Sequence, residues 1–476
     1  MESIWTQSVT LPSFPMLDHP METEIAIIGG GLAGILTADA LQQAGADVIV
    51  LEANRIGSGQ TAGTTAKLTA QHGLKYQQLQ QTLVTDAAKQ YASAQLAAVD
   101  HLRRLVRQRD ISCDLQDCTS FLYAVEAPGP LQTEYDICGN LGMDVFLTSD
   151  TELPFSAQAL GLRHQAQFHP LKLLAALASD LTIFERSRVL DVHGHTLRTA
   201  HGVVTARKII FTCHYPFINL PGYYFLRQHQ DRSYVLSLDH AAPLQNHYLG
   251  IDGSKLSFRS CGKTLLLGGS GHRTGENGDG SNYELLERAA QRYWPESHVS
   301  LRWSAQDCMP MDGIPYIGPY AEHRPDWLVA TGFQKWGMSS SVLASMILPD
   351  LAQNQPPIPE AAVFSPHRFH LSASAGQLAE DTLHAARGLS RRLLSPGRIS
   401  PEALPVGHGG IVEIDGEKQG AYRDETGELH VVSVKCPHLG CQLEWNPADH
   451  SWDCPCHGSR FDIHGRLLNG PATSDL

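Results

Sequence analysis

Four cysteines and two histidines crowd into "CPHLGC" at residues 436–441 and "CPCHGS" at 454–459. Cys436 and His438 are spaced C-x-H, Cys454 and His457 are spaced C-x-x-H, and fifteen residues lie between His438 and Cys454. Thiolate and imidazole in this pattern could seat two thiolates on one ferric iron and two imidazoles on a second, brought together by two adjacent loops. Two Cys and two His could also bind one tetrahedral zinc, on ligand count alone. The surroundings decide against zinc: Cys441 and Cys456 add a symmetrical second pair, one in each loop, which a zinc site would not need.

A second constellation stands near the other end of the chain. The apolar run "TEIAIIGG" at 23–30 enters a turn in which Gly29, Gly31 and Gly34 are spaced G-x-G-x-x-G. Glycine at these places permits the tight turn, lets backbone approach a pyrophosphate and lets helix pack on strand, while the helix N-terminus attracts negative charge. Glu52 ends the next apolar run, 18 positions past Gly34, where a carboxylate can accept hydrogen bonds from ribose. The motif implies a dinucleotide and does not separate NAD from FAD.

These residues need elements to hold them. The glycine loop lies in a strand, helix, strand unit of about thirty residues, "TEIAIIGG" then "LAGILTADALQQAG" then "DVIVLEA". Residues 75–109 carry no proline and are Gln- and Ala-rich, which predicts helix. Between 113 and 300, β-type runs such as "RKIIFTC", "RSYVLSL" and "KTLLLGG" alternate with helices, which reads as a sheet-based second lobe interleaved with the first. Proline-rich sequence after 350 flanks one amphipathic run, "GQLAEDTLHAARGLSRRLLS", and predicts a linker over 366–400 with one helix inside it. Residues 401–476 alternate short β-type runs with glycine turns and read as a small antiparallel β domain, leaving 1–365 as the larger unit.

Composition narrows the function. A chain of 476 residues with 42% hydrophobic residues, 42 Gly and 27 Pro reads as a soluble globular protein of several folding units, with no run long enough to span a bilayer. The formal charge of −13 disfavours nucleic acid as a partner. The N-terminus lacks a basic start and an apolar core, so no signal peptide is read and a cytoplasmic location is expected. Cys113, Cys118, Cys138, Cys213, Cys261 and Cys308 have no motif spacing and read as reduced thiols.

The run "RIGSGQTAGTTAK" after Glu52, together with "FHP" at 168–170, "SRVLDV" at 187–192, "DGIPYIGPY" at 312–320 and "TGFQKWGMSSS" from 331, resembles the D-amino-acid oxidase / glycine oxidase superfamily of FAD proteins. The resemblance covers about residues 23–350 and implies FAD held by Arg55, Ser58, Gly59, Thr61 and Thr65 in the polar loop. It further implies contacts from the Val189 backbone at adenine and from Gly332, Gly337 and Met338 in the C-terminal flavin loop. That superfamily moves hydride from a carbon next to an amine onto flavin, often without a protein base. Three residues are candidates for catalytic roles. Lys335, inside the flavin loop, would stabilise charge on the reduced ring, while Tyr234 and Arg259 would orient a carboxylate or amine. Cys308 and His72 are conceivable points of covalent FAD attachment.

The tail resembles Rieske [2Fe–2S] proteins, without gaps through "CPHLGCQLEW", "DCPCHGSRFD" and "GPA". By that resemblance Cys436 and Cys454 ligate one iron, His438 and His457 the other, and Cys441 and Cys456 form the disulfide that joins the two loops. Ser459 matches a hydroxyl donor to cluster sulfur, and Gly470 and Pro471 match the loop that covers the cluster. Phe461 stands where respiratory members carry tyrosine, which implies a lower potential. The expected fold is an α/β FAD-binding Rossmann-type fold with an interleaved α+β substrate lobe, plus a small all-β Rieske domain. The expected activity is oxidation of a C–N bond of an amine or amino acid, with electrons passing from FAD through the cluster to an unidentified acceptor. Two alternatives stay open. Electrons could enter through the cluster from an external donor, as in a reductase or monooxygenase-like component, or the tail could be a redox sensor or docking module on an oxidase.

Overall fold

The computed structural model describes residues 2–82, 85–253, 255–368 and 400–476. The linker helix expected over 376–395 lies outside the described residues.

The apolar runs that read as strands are buried on both faces, and that makes the first sheet parallel. Met21–Ile28 lies between Val48–Leu51 and Val203–Phe211, with Ile25–Ile28 opposite both Val48–Leu51 and Lys208–Phe211. Arg324–Thr331 and Thr182–Phe184 extend the parallel set on either side, and Tyr316–Ala321 adds an antiparallel edge. The helix Leu32–Gln43, which opens at the glycine loop, packs on the helix Gly337–Ala352 beneath this sheet. "RKIIFTC" belongs here and not to the second lobe, because "IIF" is buried and pairs with the first strand. The strand expected over 187–192 shortens to Asp191–His193, so Val189 lies in the segment leading into it.

A nine-stranded mixed sheet forms the second lobe. Its edge is a long antiparallel ribbon of Gln228–Asp239 and His298–Pro310, in which Asp231 faces Asp307, Arg232 faces Gln306 and Ser233 faces Ala305. The helical stretch expected over 75–109 is helical over the described Lys75–Thr82 and Thr85–Gln108. The C-terminal unit has one three-stranded and one four-stranded antiparallel sheet around Leu443, Trp452, Phe461 and the buried cysteines. Among the described residues no helix is long and apolar enough to cross a membrane.

Candidate active site and cluster site

Two cavities meet at the ribbon. The first, about 270 Å³, runs from the glycine loop along Glu52 to the loop before Gly337. Gly29, Gly31, Ser58, Gly59, Thr61, Val189, Gly332, Gly337 and Met338 line it. Gly34 acts through packing: a Cβ there would collide with the Gly29 carbonyl oxygen, so only glycine lets the helix approach the strand this closely. Glu52 accepts the Gly30 N–H at 2.7 Å and the Asn54 N–H at 2.8 Å, which braces the loop, and burial raises its carboxyl above the usual range. Thr61 Oγ1 accepts the N–H of Leu32 at the helix start, at 3.1 Å. An open, acid-braced turn at a helix N-terminus is what a dinucleotide pyrophosphate requires, so the residues fit FAD.

Two expected contacts sit elsewhere. Arg55 does not line this cavity; it pairs with the buried Glu185 at 2.7 Å and donates to the Pro12 carbonyl at 2.8 Å, tying the N-terminal segment down. Thr65 lines the second cavity, and its carbonyl accepts from Arg259. Arg188, beside Val189, lines the first cavity and went unread in the sequence.

The second cavity, about 730 Å³, falls within the ~300–1,000 Å³ of small-molecule sites. Thr64, Ala305, Asp307, Lys335 and Met338 line both cavities and mark where they join. Lys335 Nζ donates to Ser233 Oγ at 2.9 Å. Lys67, also unread, bonds the Ser257 hydroxyl, and burial followed by the Arg259 charge brings its amine down to about 7. Burial pushes the Asp307 carboxyl up to about 7, against the pull of Lys335. Pairs of opposite charge type tuned toward neutral pH are typical of sites that move protons.

Tyr234 and Arg259 take other settings than those expected. Tyr234 touches the cavity edge, but its hydroxyl bonds His272 Nε2 at 3.0 Å and accepts from Asn446 of the C-terminal unit at 3.4 Å. Arg259 is buried, donates to the Thr65 and Ala66 carbonyls at 2.7 and 2.8 Å, and lies 5.1 Å over Trp5, outside both cavities. Cys308 lines the first cavity, whereas His72 is buried between Tyr91 and Trp336, with Nε2 taken by the Thr69 carbonyl, and lines neither.

In the C-terminal unit the two cysteine loops have the same shape. Gly440 N–H returns to the Cys436 carbonyl and Gly458 N–H to the Cys454 carbonyl, both at 2.9 Å. Cys441 and Cys456 form a disulfide between the loops. The neighbouring Cys454 thiol holds the Cys436 thiol below its ordinary value, down to about 7. The His438 and His457 rings stand 4.9 Å apart at 89°. His438 Nδ1 is buried with no hydrogen-bond partner among the described residues, while its Nε2 bonds Asn219 Oδ1 of the larger unit at 2.8 Å. Ser459 bonds Cys436 and accepts the Ala472 N–H at 3.0 Å. Two paired thiols, two facing imidazoles and an orphaned ring nitrogen fit a two-iron cluster.

The two units are docked face to face. Alternation along the ribbon turns Asp231, Ser233, Ala305 and Asp307 to the second cavity, and Gln230, Arg232, Ser304 and Gln306 to the C-terminal unit. Asp449 accepts from Arg232, from Arg460 at 3.0 Å, from Ser304 at 2.8 Å and from Tyr283 at 3.3 Å. Leu468–Thr473 of the C-terminal unit completes the wall of the first cavity.

Comparison with known proteins agrees with both halves. Residues 24–351 match the family model "FAD dependent oxidoreductase" (DAO), and 400–476 match "Rieske [2Fe-2S] domain". A putative Rieske 2Fe-2S iron-sulfur protein of Bacillus subtilis, YhfW, is 36% identical over 100% of this chain and 97% of its own length. Glycine oxidase from Geobacillus kaustophilus superposes with a TM-score of 0.62 at 20% identity, covering 73% of this chain and 99% of that one. L-Proline dehydrogenase from P. horikoshii superposes with a TM-score of 0.62 at 15% identity, covering 74% and 98%.

Proposed function

The chain belongs to the DAO family of FAD-dependent oxidoreductases and carries a Rieske [2Fe–2S] domain, and from that premise we propose that it oxidises a C–N bond of an amine or amino acid and discharges through its own cluster. One observation carries the reading: Leu468–Thr473, in the cluster unit, forms part of the wall of the FAD cavity. When bound, FAD supplies a two-electron hydride acceptor and the cluster a one-electron carrier.

In this reading Gly29, Gly31, Gly34, Glu52, Ser58, Gly59, Thr61, Val189, Gly332, Gly337 and Met338 hold FAD. Cys436, Cys454, His438 and His457 hold the cluster, with the larger unit ending at 365 and the Rieske domain beginning at 401. The second cavity takes the substrate. Lys67 receives a substrate carboxylate, Asp307 accepts the ammonium proton so that the amine is neutral when it reacts, and Lys335 supplies positive charge where the cavities join. Six free cysteines outside the cluster loops support a cytoplasmic location.

Anaerobic addition of candidate amino acids and amines, followed by absorbance and low-temperature EPR, tests the proposal. Flavin bleaching followed by a reduced-cluster signal is expected. Bleaching with the cluster left oxidised would make the tail a sensor or an entry port for another donor.

A further inference from the structure

Building on the proposed flow of electrons between FAD and the cluster, we infer that His214, Gln230 and Gln306 form a buried relay that carries those electrons across the domain boundary. His214 lines the FAD cavity, and its Nε2 meets Gln230 Oε1 at 3.2 Å. That oxygen only accepts, so the ring donates. Gln230 Nε2 donates to the carbonyl of His457 at 2.6 Å and to that of Gly470 at 3.2 Å. Gln306 Nε2 donates to Gln230 Oε1 at 2.6 Å and to the Gly458 carbonyl at 2.7 Å. Two hydrogen bonds therefore join a wall of the FAD cavity to the backbone of a cluster ligand, and a third contact fixes the next residue.

Both glutamines are almost wholly buried, at 1% and 0% exposure. Desolvating an amide is costly unless it is bonded, and an apolar pair would dock a β-unit without that cost. A Cβ on Gly458 would stand 2.7 Å from both Gln230 Cβ and Gln306 Nε2, so the cluster loop is fitted to these two side chains. Electronic coupling decays less across hydrogen bonds than across an empty gap of equal length, which favours this route over the surrounding packing.

The balance is simple. Oxidising C–N to C=N releases two electrons and two protons. The cluster accepts one electron at a time, so two electrons cross the relay in succession. Each crossing is followed by transfer of one electron from the cluster to an external one-electron oxidant, and both protons leave to solvent.

The test uses the full-length protein with FAD and cluster bound. Light and EDTA reduce the flavin without any substrate, and freeze-quench EPR follows the cluster. Q230M and Q306M keep side-chain length but remove the amide bonds. The expected result is a fall of about 10–100-fold in cluster reduction for each. The double variant should be no slower than the worse single one, because the two act as one network. FAD content and the g-values of the dithionite-reduced cluster should stay unchanged. Wild-type rates in both variants overturn the relay. So does loss of the cluster signal in Q230M, since Gln230 would then be holding the ligand loop. A wild-type cluster that stays oxidised after the flavin is reduced overturns the underlying flow of electrons, and the relay with it.

Discussion

Lys67 and Asp307 place opposite demands on one cavity. Asp307, raised to about 7 by burial, must lose its proton before it can take one from an ammonium group. Lys67, lowered to about 7 by burial, must keep its proton to hold a carboxylate. Activity on an amino acid should therefore rise and then fall with pH around neutrality, with limbs that belong to the pair because the two groups share a cavity. Asp307→Asn should remove the acid limb and cost about 10²–10⁴ in kcat/KM. Lys67→Met should remove the alkaline limb and raise KM more than it lowers kcat. A wild-type profile that is flat between about pH 6 and 8 would contradict both roles. Neither residue stood out in the sequence, whereas the cysteine and histidine loops did. A cluster site is written in short spacing, but Lys67 becomes a cavity residue only when a strand near 257 closes over it.

At the scale of elements, the first strand, glycine turn and helix were legible because each residue type in them answers a local geometric demand. Gly34→Ala tests that demand. The added methyl must push the helix off the Gly29 carbonyl, so overpacking should cost about 1–3 kcal/mol. The purified variant should carry less FAD, read as the ratio of flavin to protein absorbance, together with a lower urea midpoint. The ribbon was the opposite case. In "QHQDRSYVLSL" polar residues fall on both faces, and period-2 alternation gives no core side to choose. One face is polar because it lines a cavity, and the other because it meets a unit whose His457 is 227 residues away in sequence. That distance is also why the sequence shows no sign that the Tyr234 hydroxyl, on a residue that lines the second cavity, meets the cluster unit.

The whole molecule depends on how firmly the cluster unit is held. Asp449 is the centre of that contact: Arg232 is 1% exposed and Arg460 also bonds it, so removing the carboxylate leaves the buried Arg232 without its ion pair, while Arg460 keeps Asp453 at 2.9 Å. Asp449→Ala should cost about 3–5 kcal/mol in a denaturant titration, and Asp449→Leu with Arg232→Met should recover part of that loss. Burial acts to raise the Asp449 carboxyl, but the two arginines outweigh it and hold the folded-state value below the usual range. Stability from this group is then fully present above its unfolded value of about 4 and is lost as pH falls through the lower folded value. Added salt should change it little, because the pair is shielded from counterions. Undocking would also open the wall formed by Leu468–Thr473. Asp449→Ala should therefore release FAD faster than wild type at neutral pH, measured as recovery of free-flavin fluorescence after dilution. Equal release rates would mean that the cluster unit contributes nothing to retaining the flavin, and that its place beside the cavity serves electron passage alone.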